Sequence, residues 1–166
     1  DVTLVVRAED ALAFATHLMN EFETLSKRVR PDGLTVATGI AFVKDHFPFH
    51  LGYGLAESLC AFAKEKAGRE TSSLAFHRVT GSSTGEYEEQ VLPSELEFGK
   101  LRLTANPYLL RSGPTKLPCV EDLRNLVRAL SASEFPKGSI RETVREATLA
   151  RADEQSARNS IRNRME

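Results

Sequence analysis

The chain has 166 residues, 41% of them hydrophobic, which allows one domain or one domain with an appendage. Its formal net charge of −1 argues against a free-standing nucleic-acid binder, because such proteins normally carry a basic excess. The sequence contains no apolar run long enough to span a membrane.

The first predicted elements are a strand and a helix. Asp1–Val6 is rich in β-branched residues and predicts a strand. A helix is expected from about Asp10 to about Arg28, with a buried stripe of Leu12, Ala15, Leu18, Met19, Phe22 and Leu25. Because the chain begins with aspartate in strand-like sequence, we expect a fragment, a cleaved product or a protein whose earlier residues are not shown.

The next stretch organises the chain as a strand, a turn and a long helix. Leu34–Val43 is apolar and almost uncharged, which is typical of a strand covered on both faces. Pro48 breaks this run, and Leu51, Leu55, Leu59 and Phe62 then recur at helical spacing up to Lys66 and Gly68. Ser73–Val79 predicts a further strand. The order through residue 80 is therefore β-α-β-α-β, which favours an α/β layer.

The sequence changes character after residue 80. Residues 81–117 predict a linker and an irregular segment, with a glycine- and serine-rich start, a glutamate-rich middle and a short strand near Leu101–Thr104. Residues 118–166 predict a helical region, in which Ser139 and Glu142 form a capping box. The charged stretch 151–166 is a solvated helix, a partner-dependent helix or a frayed tail.

Cysteines and histidines give no metal site. Cys60 and Cys119 lie far apart in helical patterns, so buried free thiols and a reducing cytoplasm are expected. His46 and His50 are four residues apart, but Pro48 lies between them and no third ligand stands nearby in the sequence.

This order of elements, from the strand at Asp1–Val6 to the strand at Ser73–Val79, resembles that of the palm domain in the large signature subunit of type III CRISPR effector complexes. Asp1–Val5 resembles the end of that family's Gly-Gly-Asp-Asp hairpin and its descending strand, with Asp1 in place of the second aspartate. Thr38–Ala41 followed by Pro48 resembles the family's Ser-Ala-Gly-Ile and proline-initiated helix. Ala63-Lys64 resembles its helix end, and residues 103–108 and the arginine-rich helices resemble the segment after the palm, so the likeness covers essentially the whole chain.

The resemblance implies an α+β fold: residues 1–80 as the C-terminal half of a ferredoxin-like, GGDD-type palm, followed by a mainly helical region. It implies an antiviral defence activity, in which ATP is joined into cyclic oligoadenylate when target RNA is bound. Asp1 would be a catalytic ligand for Mg²⁺ or Mn²⁺, since magnesium prefers carboxylate oxygens. Lys64 would bind nucleotide by contacting the terminal phosphates as a point charge.

The resemblance also implies that half of the palm is missing. The hairpin glycines, the first aspartate and the first palm strand with its metal-binding aspartate are not in this sequence. In the family that strand lies between the two that correspond to Asp1–Val6 and Leu34–Val43, so an N-terminal palm half must come from elsewhere. The isolated chain is therefore expected to be inactive, with ATP, that half, other CRISPR effector subunits and guide and target RNA as partners, and no membrane.

Three alternatives remain open. The palm could have lost catalysis and serve as a scaffold in an RNA-guided ribonucleoprotein complex. It could instead be a GGDEF-type cyclase, although the helical region after the palm argues against this by analogy. At the residue level, Asp1 could be an ordinary chain-end aspartate, and Lys64 could simply stabilise the helix C-terminus through its charge.

Overall fold

The computed structural model describes residues 2–80, 85–98, 101–113 and 115–132 and the single positions 138, 142 and 146. Within this part of the chain the elements follow in the order α1 (Ala8–Ser26), β1 (Ala37–Phe42), α2 (Phe49–Lys66), β2 (Ser73–Arg78), a π-helix (Tyr87–Leu96), β3 (Glu97–Phe98), β4 (Leu101–Arg102), β5 (Tyr108–Leu109) and α3 (Val120–Ala132). The fold is α+β, and its order of elements is compatible with half of a palm followed by helices.

The main sheet has three strands in the order β1-β2-β5. β1 and β2 are parallel along their full lengths, from Ala37 opposite Ser73 to Phe42 opposite Arg78. β5 runs antiparallel to β2 and pairs with only Ser73 and Leu74. β3 and β4 form a separate two-stranded ribbon. Within the described chain, the second edge of β1 has no partner strand.

α1 and α2 cover opposite faces of this sheet, because neighbouring strand residues point to opposite sides. On one face Ala75 packs with α2 and the π-helix, through buried residues such as Leu59 and Tyr87. On the other face Leu74 packs with Met19 of α1, Tyr108 of β5 and Val120 at the start of α3. Residues from both the predicted palm half and the predicted helical region thus share one core cluster, while the predicted domain boundaries stay a prediction.

β1 touches α2 through a glycine. A Cβ built on Gly39 would lie 1.9 Å from the carbonyl oxygen of Ala56 and 2.5 Å from the amide nitrogen of Cys60. Only a residue without a side chain lets the helix backbone come this close to the strand. The predicted helix end is also confirmed: α2 stops at Lys66, and Gly68 takes the left-handed conformation with φ +69°.

The predicted first strand is not formed. Residues 2–6 belong to no helix or strand, and all five are exposed, with Val2 at 79% and Val5 at 82%. A strand needs a neighbour for its backbone hydrogen bonds, and none of the described residues pairs with this segment. The prediction for Leu34–Val43 holds for Ala37–Phe42. Helices cover both faces of this strand, but every residue of it is only half-buried, because its outer edge has no partner strand among the described residues.

The predicted stripe of α1 was half wrong. Ala15 and Met19 are buried, with Leu12 half-buried beside them. Leu18, Phe22 and Leu25 are instead exposed, together with Phe14. The apolar face of α1 is therefore wider than the part of the helix that packs against the sheet.

The second half of the chain contains two elements that the sequence did not predict. The glutamate-rich segment forms the π-helix, whose Tyr87 is fully buried, and Tyr108–Leu109 forms β5. The predicted short strand appears as β4, and the predicted helix after Pro118 appears as α3. Residues 81–84 of the predicted linker, Ser139 of the capping box and the charged stretch 151–166 lie outside the described residues.

Candidate functional site

The two residues singled out from the sequence are not brought together within the described structure, because Asp1 lies outside it. The segment that follows Asp1 is described and is exposed, as noted above. The metal-binding role of Asp1 therefore stays a prediction.

Lys64 stands in the last turn of α2, with an exposed side chain. It makes no ion pair with any described residue. Lys66, two residues later, differs, because it pairs with Glu88 of the π-helix, and this hydrogen bond raises the pKa of Lys66. Of the two lysines at this helix end, Lys64 is thus the one available to a ligand.

The surroundings of Lys64 are set by Cys60, one turn earlier on α2. The Cys60 thiol donates to the carbonyl oxygen of Ala37 at 3.3 Å, which places this flank of α2 against the start of β1. Burial raises the pKa of the Cys60 thiol, and the positive charge of Lys64 opposes that rise. Lys64 therefore lies at the end of the sheet where the parallel strands begin.

Side chains tie this end of the sheet together. The Ser72 hydroxyl accepts from the amide of Val36 at 3.0 Å, and the Ser73 hydroxyl donates to the carbonyl of Ala63 at 2.9 Å. The Thr35 hydroxyl donates to the carbonyl of Arg69 at 3.0 Å. The rim beside Lys64 is thus held by hydrogen bonds, and exposed Lys64 and Arg69 offer positive charge suited to a phosphate group.

A metal site does not form from the described residues alone. In this part of the chain no three His, Cys, Asp or Glu side chains come together in a way that could hold an ion. His46 pairs with its neighbour, Asp45, with 2.9 Å between Nδ1 and Oδ1, and both side chains are exposed. The proposed ligand, Asp1, lies outside the described residues, so the binding of Mg²⁺ or Mn²⁺ stays a prediction.

A second polar cluster, which the sequence analysis missed, lies between β2 and the π-helix. His77 is 6% exposed, and its Nε2 lies 3.3 Å from a carboxylate oxygen of Glu95 without a hydrogen bond to any described residue. Burial lowers the pKa of His77, while the charge of Glu95 acts in the opposite direction. No sequence signal pointed to this pair, because it depends on the π-helix.

Asn106 closes the same cluster on its other side. Its amide nitrogen donates to the carbonyl of Phe76 at 2.6 Å and to the Tyr87 hydroxyl at 2.9 Å. Its amide oxygen accepts from the Phe76 N–H at 3.2 Å. The side chain thus takes the place of a strand partner beside β2, beyond the end of β5.

Comparison of the chain with protein-family models, with curated proteins and with solved structures found no match. No helix in the described ranges has the length and apolar character needed to cross a bilayer. The chemistry must therefore be argued from the geometry of the chain itself.

Proposed function

We propose that the chain is part of a nucleotide-polymerising palm from the large subunit of a type III CRISPR effector complex. The complete palm would convert ATP into cyclic oligoadenylate by nucleotidyl transfer. This chain would supply the C-terminal half of the palm and the region after it, and by itself it would be inactive. A cytoplasmic location, with guide and target RNA and other effector subunits as partners, belongs to the same proposal.

The observation that carries the proposal is the exposed segment before α1. Four of its five residues are large and apolar, and each is at least 42% exposed: Val2, Leu4, Val5 and Val6. Leaving this much apolar, β-prone sequence in water is costly, and such a segment is normally covered by neighbouring strands. An upstream palm half would provide that cover.

The positions of the two helices indicate where the upstream half would add. Connections between parallel strands are right-handed, and two right-handed crossovers on opposite faces travel in opposite directions across a sheet. Since α2 leads from β1 to β2, a strand before α1 would lie on the β2 side. Across the sheet, the order would be residues 2–6, the missing strand, β2 and β1. The missing strand would replace two partners of β2: β5, which pairs only with Ser73 and Leu74, and the Asn106 side chain.

This arrangement also relates Asp1 to Lys64. α2 ends just before β2 begins, so Lys64 stands at the start of the parallel strands. A strand formed by residues 2–6 and parallel to β1 would begin at the same end of the sheet. Asp1, which precedes it, and Lys64 would then lie at the same end of the sheet, on either side of β2 and the missing strand.

Metal binding depends on the upstream half in this proposal. The described residues supply no group of ligands, so Asp1 would need carboxylates from the missing part of the palm to hold Mg²⁺ or Mn²⁺. The metal would supply charge neutralisation at the reacting phosphate. The contribution of this chain beyond Asp1 would be Lys64, which would hold the terminal phosphates in place by its charge.

Incubation with ATP and Mg²⁺ tests the proposal, first with the chain alone and then with the upstream half and target RNA added. We expect oligoadenylate only from the mixture, and at least about tenfold less product with Lys64→Ala. Lys44→Ala is the matched control, because Lys44 is an exposed lysine at the other end of β1. Product from the isolated chain would contradict the proposal. Binding of the upstream half without any product would favour the scaffold function.

A further inference from the structure

Within the described residues, the outer edge of β1 lacks the protection that edge strands normally have. The carbonyls of Val36 and Phe42 accept from Ser73 and Val79 on the β2 side. Because backbone groups alternate along a strand, Ala37, Gly39 and Ala41 turn theirs to the other edge. β1 contains no charge and no proline, which are the devices that keep exposed strand edges from pairing.

α1 extends beyond this edge on one face of the sheet. Asn20 and Glu23 contact Arg111, which follows β5, so this flank of α1 faces the far side of the sheet. The opposite flank therefore points past β1. It carries four large apolar side chains that are 41–46% exposed: Phe14, Leu18, Phe22 and Leu25.

α2 extends beyond the same edge on the other face. Ser58 accepts from the Tyr87 amide, so its flank of α2 faces the π-helix, while Cys60 reaches β1. On the flank past Cys60, Phe49 and Tyr53 stack with ring centroids 6.4 Å apart and are 65% and 42% exposed. The open strand edge thus lies between two apolar overhangs.

We propose that two copies of this chain pair edge to edge through β1, in antiparallel orientation, to form one continuous sheet. A two-fold axis perpendicular to the sheet keeps each face on its own side, so α1 meets α1 and α2 meets α2. Residues placed opposite each other must then share a face. A register symmetric about Ile40 satisfies this, with Gly39 of one copy bonded to Ala41 of the other through their outward N–H and C=O groups.

The size of the uncovered surface fits a stable pair. With whole aromatic side chains offering about 150–250 Å² each, the six half-exposed side chains and the β1 edge leave on the order of 600 Å² per copy. Pairing two copies would bury roughly 1,200 Å², the lower limit for specific interfaces. The upstream palm half does not compete for this edge in the proposed function, because it would add on the β2 side.

Analytical ultracentrifugation of the full chain over a series of micromolar concentrations tests the dimer. We expect a monomer–dimer equilibrium whose dissociation constant rises at least about tenfold in Leu18→Glu, since a charge would be buried at the centre of the α1 contact. Leu126→Glu is the matched control, because Leu126 is also exposed, at 56% against 46% for Leu18, but lies on α3. Circular dichroism establishes that both variants keep the fold.

Hydrogen exchange gives a second measurement that does not depend on a variant. The amides of Gly39 and Ala41 should become more protected as the protein concentration rises, because they point to the open edge. A chain that stays monomeric at all concentrations would overturn the proposal and would assign the edge to another partner. A dimer that ignores Leu18→Glu, or that protects neither amide, would overturn it as well.

Discussion

At the scale of single residues, His77 links the stability of the protein to pH. Burial lowers the pKa of this histidine in the folded state, so the unfolded chain takes up a proton at a pH where folded His77 is still neutral. The stability that His77 contributes is therefore present above its ordinary pKa of about 6.5 and is lost as the pH falls.

We expect the free energy of unfolding to fall between pH 7.5 and pH 5.5, and to fall less in His77→Gln than in the parent chain. Urea unfolding at the two pH values measures the difference. His46→Gln is the control, because the His46 side chain is exposed whereas His77 is buried. This variant should lose as much stability as the parent chain. Equal losses in the parent chain and in His77→Gln would show that His77 does not titrate on unfolding.

Asn106 is the second residue whose removal has a defined consequence. In Asn106→Ala the buried Tyr87 hydroxyl and the backbone of Phe76 lose their partner, which should cost about 2–3 kcal/mol. Asn125→Ala is the control, since exposed Asn125 only accepts from Arg128, and it should change stability by less than about 0.5 kcal/mol. Urea unfolding at neutral pH measures the change in the free energy of unfolding for each variant.

At the scale of elements, the contact between β1 and α2 depends on Gly39. Gly39→Ala should destabilise the chain by about 3 kcal/mol or more, because the new methyl group would overlap backbone atoms of α2, which cannot move away by changing a rotamer. Gly54→Ala on α2 is the matched change: a Cβ there meets nothing within 4 Å, and it should stabilise the chain by about 0.5–1 kcal/mol. Thermal unfolding of both variants measures the pair, and a similar effect at both sites would contradict the packing.

The elements that were predicted correctly are those with a regular hydrophobic period. The stripe from Leu51 to Phe62 predicted α2, and the β-branched run before it predicted β1. The π-helix was missed because its i,i+5 spacing matches neither familiar period and because Pro93 lies inside it. β5 was missed because two residues carry no period at all.

The prediction of a first strand was wrong for a different reason. Val2–Val6 has the composition of a strand, but a strand is completed by its neighbour, and composition does not supply one. The same limit applies to the proposed site. Lys64 could be located on its helix end from sequence, whereas its relation to Asp1 depends on the proposed position of residues 2–6 in the sheet.

At the scale of the whole molecule, the proposals place a different partner at each edge of the sheet, and hydrogen exchange can tell the two edges apart. The amides of Phe76 and Arg78 point away from β1, because the amides of Ser73 and Val79 bond toward it. Phe76 is held by the Asn106 side chain, and the Leu110 amide donates to the carbonyl of Ser72 at 2.8 Å. In the described structure, the segment around β5 and the Asn106 side chain thus cover this edge of β2.

When the upstream palm half is added, we expect the Arg78 amide to gain protection and the Leu110 amide to lose it, because a full-length strand would replace β5 beside β2. The amides of Gly39 and Ala41, on the other edge, should not respond to the upstream half at a fixed protein concentration. The converse pattern would place the upstream half beside β1. It would also deny the β1 edge to a second copy.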